Sequence, residues 1–97
     1  MENQHEIKGD IIYIGNLKEW GKERRHTSKG VVIRVPEGKY NTEVMIEFQD
    51  EDIKMLNNLA LDDTVLVLFK ARSNAYIRSG VKNWFTTLIG LNISKFG

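Results

Sequence analysis

Alternation of apolar and polar residues dominates this chain, and it predicts strands far more often than helices. Glu6 to Ile14 (EIKGDIIYI) alternates and is rich in β-branched residues, which predicts a first strand. Gly9 lies inside it, and an interior glycine marks a bulge or sharp bend. Asn16 to Lys29 has no apolar period and is expected to be a long polar loop. Val31 to Val35 is a second strand that Pro36 stops. Glu37-Gly38-Lys39 turns the chain into Thr42 to Phe48, a third strand and the hairpin partner of the second. Asp50 is expected to cap a short helix, with Glu51 and Asp52 in its first turn, where the helix dipole favours acids. Ile53, Leu56 and Ala60 give that helix one apolar face, and Leu61-Asp62-Asp63 closes it. Val65 to Ala71 (VLVLFKA) reads as a strand buried on both faces. Ser73 to Asn83 reads as a second polar loop, and Trp84 to Ile93 as the last strand.

Charge changes this picture from a plain small β-domain to one with a direction. The formal net charge is only +1, yet Lys18 to Arg34 holds six Lys/Arg against two Glu, and Lys70 to Lys82 holds four with no acid. From Glu43 to Asp63 seven acids face only Lys54, so the molecule is dipolar. Both cationic stretches contain an aromatic residue, Trp20 in one and Tyr76 in the other, and Trp84 follows closely. Cations for phosphates and rings for base faces are what a single strand of nucleic acid requires.

The remaining composition mainly excludes. At 97 residues, 41% hydrophobic and 28% charged, the chain is expected to be a single domain spanning 1–97, with residues 1–5 and 94–97 as flexible ends. Without cysteine there is no disulfide, thiolate zinc site or thiol chemistry. His5 and His26 lack metal-ligand spacing. The acidic run at Asp50 to Asp52 points its carboxylates in different directions, so no metal or other cofactor is expected. No Ser/His/Asp set, glycine-rich phosphate loop or paired carboxylates occur, and neither catalysis nor a small-molecule substrate is expected. The polar N-terminus is no signal peptide, and no apolar run approaches the roughly 20 residues that span a bilayer. A cytoplasmic location and no membrane association are expected.

Five strands with one short helix between the third and fourth is the pattern of the OB-fold, an all-β, five-stranded Greek-key barrel. That fold binds oligonucleotides or oligosaccharides across its second and third strands, flanked by the loops joining strands 1–2 and 4–5. The two cationic clusters fall in those two loops. The segments EIKGDIIYIG, IEF leading into DEDIKMLNNL, LDDTVLVLF and the final WFTT strand resemble the compact OB-fold single-stranded DNA-binding proteins of bacteria and their phages, over roughly Glu6 to Ile93. The resemblance implies single-stranded DNA as partner and a role in replication, recombination or repair. The chain ends LIGLNISKFG, unlike the acidic tail through which larger members recruit enzymes, so that recruitment is not expected.

The candidate contact residues follow from the clusters. Lys22, Arg24, Arg25 and Lys29 are candidates for phosphate contact from the first loop, and Trp20 for stacking, since an indole in a polar loop lacks core neighbours. His26 reads as an ordinary polar residue with no evident carboxylate partner. Arg72, Arg78 and Lys82, with Lys70 beside them, form a second cationic lip. Tyr76 either stacks on a base or pins that loop to the barrel. In the last strand, Phe85, Thr87, Ile89, Leu91 and Ile93 make the better core face, which leaves Trp84 near the surface as a stacking candidate. Arg34 is expected to point outward. Glu47 is awkward in a phosphate groove, and Arg34 or Lys70 is its expected partner. Tyr40 shields or stacks at a hairpin tip, whereas Tyr13, Phe69 and Phe85 are expected in the core.

The expected function is non-catalytic, largely sequence-independent binding of single-stranded DNA. Single-stranded RNA is a near variant, because nothing in the sequence reveals a contact to the 2′-hydroxyl. The alternative is a structural or protein-interaction OB domain in a replication or virion assembly, its cationic loops meeting an acidic surface, including that of another copy. A homo-oligomer is compatible with either.

Overall fold

Gly9 decides how the sheet closes. A Cβ built there would lie 2.3 Å from the Arg34 carbonyl oxygen and 2.7 Å from Ile33 Cγ2, so only glycine lets the two backbones approach this closely. The computed structural model describes residues 3–23 and 25–96. Its strands are β1 (His5–Ile14), β2 (Lys18–Trp20), β3 (His26–Glu37), β4 (Tyr40–Gln49), β5 (Thr64–Arg78) and β6 (Val81–Lys95), with a 3-10 helix at Asp50–Leu56 between β4 and β5. The first half of β1 pairs with β5 and the second half with β3, the exchange falling at Gly9 and Asp10. The order β1-β5-β6-β4-β3 is thereby closed by β1 on β3, and β2 adds a short outer strand to β3. This is the closed five-stranded barrel of the OB-fold, as the sequence predicts.

Two bulges determine which side chains enter the core. In β1 Ile11 pairs with Ile33 but Tyr13 with Val32, so Ile12 is an extra residue. Strict alternation from Ile11 would turn Tyr13 inward; the bulge turns it outward, where it is exposed. In β6 Leu91 is the extra residue, because Leu68 pairs with Asn92 and Phe69 with Gly90. Ile93 consequently faces inward while Thr87 and Phe85 face outward; Ile89 is buried, as expected. Tyr13 and Phe85 are therefore not core residues, contrary to expectation, and Phe85 is 64% exposed. Phe69 does belong to the core, with Ile11, Val31, Ile33, Ile46, Phe48, Leu56, Val65, Val67 and Ile93.

Both expected loops contain strand. Asn16 to Lys29 contains all of β2 and the start of β3. Ser73 to Asn83 is the outer half of a long β5–β6 hairpin, turned at Ser79 and Gly80 with φ of 53° and 76°. Positive φ at both positions is the two-residue turn whose twist matches that of paired strands. The chain ends are partly paired too: β1 begins at His5, and Ser94 and Lys95 continue β6.

Asp50 does not cap the helix. Gln49 holds the N-cap position without a side-chain cap, and Asp50 adopts φ 49°. Its Oδ1 accepts the Thr27 N–H at 3.0 Å, tying the helix start to β3. Beyond the helix, the Asp63 carboxylate accepts the Ala60 N–H at 2.9 Å and meets Lys95 Nζ at 3.4 Å. The Ala60 N–H holds the Asp63 pKa below its ordinary value against the opposing effect of desolvation, and Lys95 lowers it further. A lowered folded pKa stabilises above the unfolded value of about 3.9, and that stabilisation is lost as pH falls through the folded value. Asp63→Ala should therefore be less stable than the native protein at neutral pH, with the gap narrowing below about pH 4. Urea midpoints measured across that range check it; a gap independent of pH would contradict it.

Candidate nucleic-acid interface

Outward-facing positions follow from register. On β3 these are Val32 and Arg34, on β4 Glu43, Met45 and Glu47, since Val31, Ile33, Ile46 and Phe48 are buried. β6 joins this surface through one parallel pairing, Glu47 with Ile89. Residues opposite one another in the β5–β6 hairpin share a face, so Lys70, Arg72, Tyr76 and Arg78 lie on the same side as Phe85 and Thr87. Tyr76 and Phe85 are thus two exposed rings among three cations.

Trp84 faces the other way. It pairs with Ala75, and Lys82 with Ile77, which puts both on the opposite side of the hairpin from Tyr76. Lys82 Nζ lies 5.6 Å from the Trp84 ring centroid, a cation–π distance, and the indole is 64% exposed. The two rings that the sequence places together at one loop mouth are on two faces of one ribbon.

The first cationic cluster sits at the far end of β4. Trp20 pairs with His26, two residues beyond the Ser28–Gln49 pair. The indole stacks on the imidazole at 5.5 Å and 28°, and remains 46% exposed. His26 does have a carboxylate neighbour, Asp50 Oδ2, 3.7 Å from its Nδ1. Arg25 lies 3.8 Å from Glu19, and these two with Trp20 and Gly21 border a shallow hollow of about 230 Å³. Lys22 is exposed, Lys29 is half-buried opposite Phe48 on the inward side, and Arg24 lies outside the described residues. Arg34 is outward as expected, but its Nη2 meets Asp10 Oδ2 at 3.6 Å. Glu47 pairs with neither Arg34 nor Lys70; it accepts Gln49 Nε2 at 3.1 Å.

The arrangement is a strip. The Trp20–His26 pair lies off the C-terminal end of β4, and the hairpin runs from Ile89 past the N-terminal part of that strand. Ten residues separate Ile89 from Ser79, about 33 Å of extended chain. Between β4 and β6, below their single pairing, opens a cavity of about 290 Å³ lined by Met45, Glu47 and Phe85 to Leu88. Met45 and Phe85 are absent from the contact residues expected from sequence. The signal for Phe85 was Gly90, an interior strand glycine of the kind that accompanies a bulge. Met45 had none beyond its outward position.

Comparison with known proteins adds two findings. Residues 6–94 match a family model described as "Domain of unknown function (DUF3127)". No curated protein sequence matches the chain. Among solved structures it is similar to the mitochondrial single-stranded DNA-binding protein Rim1 of S. cerevisiae. One crystal form gives a TM-score of 0.69 at 19% identity, covering 98% of this chain and 96% of that one. A selenomethionine form gives 0.66 at 20% identity with full coverage of both chains, and a further form 0.68 at 16%, covering 95% and 92%. At these identities the likeness is one of fold.

Proposed function

The chain belongs to the DUF3127 family, and we propose that it is a non-catalytic single-stranded DNA-binding protein serving replication, recombination or repair. The observation that carries this is the outward strip. Exposed rings and cations lie beyond both ends of β4, Trp20 with Lys22 and Arg25 past its C-terminal end, and Tyr76 and Phe85 with Arg72 and Arg78 on one face of the hairpin past its N-terminal part. Cations neutralise phosphates and rings stack on bases, with little dependence on sequence because every base has a π-face. Arg34 and Lys70 extend the positive border on the outward face, and Lys82 and Trp84 offer a further cation and ring to a strand that wraps round the hairpin. The fold shared with Rim1, a protein named for binding single-stranded DNA, supports the same conclusion.

Titration with oligo-dT at low salt should quench tryptophan fluorescence through Trp20 and Trp84. With about four to six phosphate contacts, log K against log salt should fall with a slope near −3 to −4, at roughly −0.7 per contact. Unchanged fluorescence together with no mobility shift would sink the proposal. Capture of a protein partner under those same conditions would favour the protein-interaction alternative, which the dipolar charge distribution supports.

A further inference from the structure

Glu47 is a feature of the strip that phosphate binding leaves unexplained. It is half-buried and lines the β4–β6 cavity together with Phe85 and Met45, and it pairs with Ile89. Among the described residues, no Lys or Arg lies within ion-pair distance of its carboxylate. The Gln49 amide donates to it at 3.1 Å, which accounts for one of several acceptor positions. A carboxylate so placed repels phosphate, yet it is a good acceptor for N–H groups on the edge of a base.

We propose that this cavity is a base-reading subsite that selects guanine from a single strand through the Glu47 carboxylate. This rests on the binding function proposed above and adds a preference to it. Phe85 supplies the stacking wall, and Met45, a polarizable and adaptable side chain, packs against the other face of the base. An ionised carboxylate only accepts hydrogen bonds. Guanine alone among the four bases presents two adjacent donors on its Watson–Crick edge, N1–H and N2–H₂, which match two carboxylate oxygens. Thymine and cytosine set a carbonyl or ring-nitrogen acceptor beside their one donor group, so a lone pair opposes the carboxylate. Adenine likewise places N1 next to its amino group. Unstacked bases of single strands are read on just these edges. The cavity volume of about 290 Å³ is at the small end for ligand sites, appropriate to one base rather than a larger molecule. The rings and cations elsewhere on the strip remain indifferent to sequence, so the preference applies at one position of a tolerant binder.

Oligo-dT strands carrying a single central guanine, or inosine in its place, test this by fluorescence anisotropy. Inosine keeps N1–H and lacks only the N2 amino group. The native protein should bind the guanine strand about fivefold or more tighter than the inosine strand, the low end for a bidentate contact. Glu47→Gln conserves size at a half-buried strand position, so the fold should persist, as circular dichroism can verify. That variant should bind plain oligo-dT at least as well as the native protein and lose the guanine-over-inosine ratio. Equal affinity of the native protein for the two strands overturns the subsite and leaves DNA binding standing. A ratio that survives in Glu47→Gln likewise overturns it. Absence of binding to every strand overturns both the subsite and the function it rests on.

Discussion

Gly9→Ala is expected to cost about 3 kcal/mol of stability or more, the upper range for overpacking a closely packed site. The added methyl would meet the Arg34 carbonyl at 2.3 Å. This obstacle is backbone, and a backbone atom in a paired strand cannot swing aside as a side-chain tip can. Relief requires β1 to separate from β3 at the point where the barrel closes. The neighbouring pairs Asp10–Arg34 and Ile11–Ile33 would be strained, and Ile11 and Ile33 are fully buried. For a domain whose total stability is about 5–15 kcal/mol, this is a large fraction. The melting temperature should fall by at least roughly 12 °C, at 4 °C or more per kcal/mol for this chain length. Chemical denaturation provides the measurement. A change within about 0.5 kcal/mol, the range of an ordinary surface substitution, would show that the closure tolerates a Cβ.

The second large effect concerns binding. Tyr76→Ala with Phe85→Ala should weaken oligo-dT affinity by about 2–6 kcal/mol, at about 1–3 kcal/mol per stacked base. That is at least a thirtyfold loss. Both rings are exposed, at 48% and 64%, and contribute little to the core, so the double variant should keep its denaturation midpoint. Trp84 distinguishes two paths for the strand, because it occupies the other face of the hairpin. Trp84→Ala should leave affinity for an oligo-dT of about 6 nucleotides near the native value. It should weaken binding of one of about 16, the upper site size for an OB-fold, which is long enough to wrap the ribbon. Equal losses at both lengths would place the main path over the Trp84 face instead.

Much of the architecture is present in the alternation of the chain. Val31 and Ile33 against Val32 and Arg34, and Ile46 and Phe48 against Met45 and Glu47, identify the inner and outer sides of β3 and β4 directly. Gly9 announces a bend in β1, and the structure supplies its cause: space for a passing backbone. The errors have a common origin. Tyr13 and Phe85 were expected inside because each shares the alternation of a buried neighbour, Ile11 or Ile93. In each case one bulge residue, Ile12 or Leu91, intervenes and reverses every side chain beyond it. Polar composition concealed the strands at 18–20 and 73–83 for a different reason. A two-stranded ribbon standing clear of the barrel has no buried side, and so shows no apolar period.

The chain alone determined that this protein is a barrel of alternating strands with two cationic, aromatic-bearing segments, since period and charge are local properties that need no partner. Tertiary pairing decided which rings share a face. Bulges exist only relative to the opposing strand, and they turn Phe85 toward Tyr76 and Met45. The β5–β6 register in turn puts Trp84 on the far side. The cleft holding Glu47 likewise arises between β4 and β6, strands about 40 residues apart whose ladder has a single pair, Glu47 and Ile89.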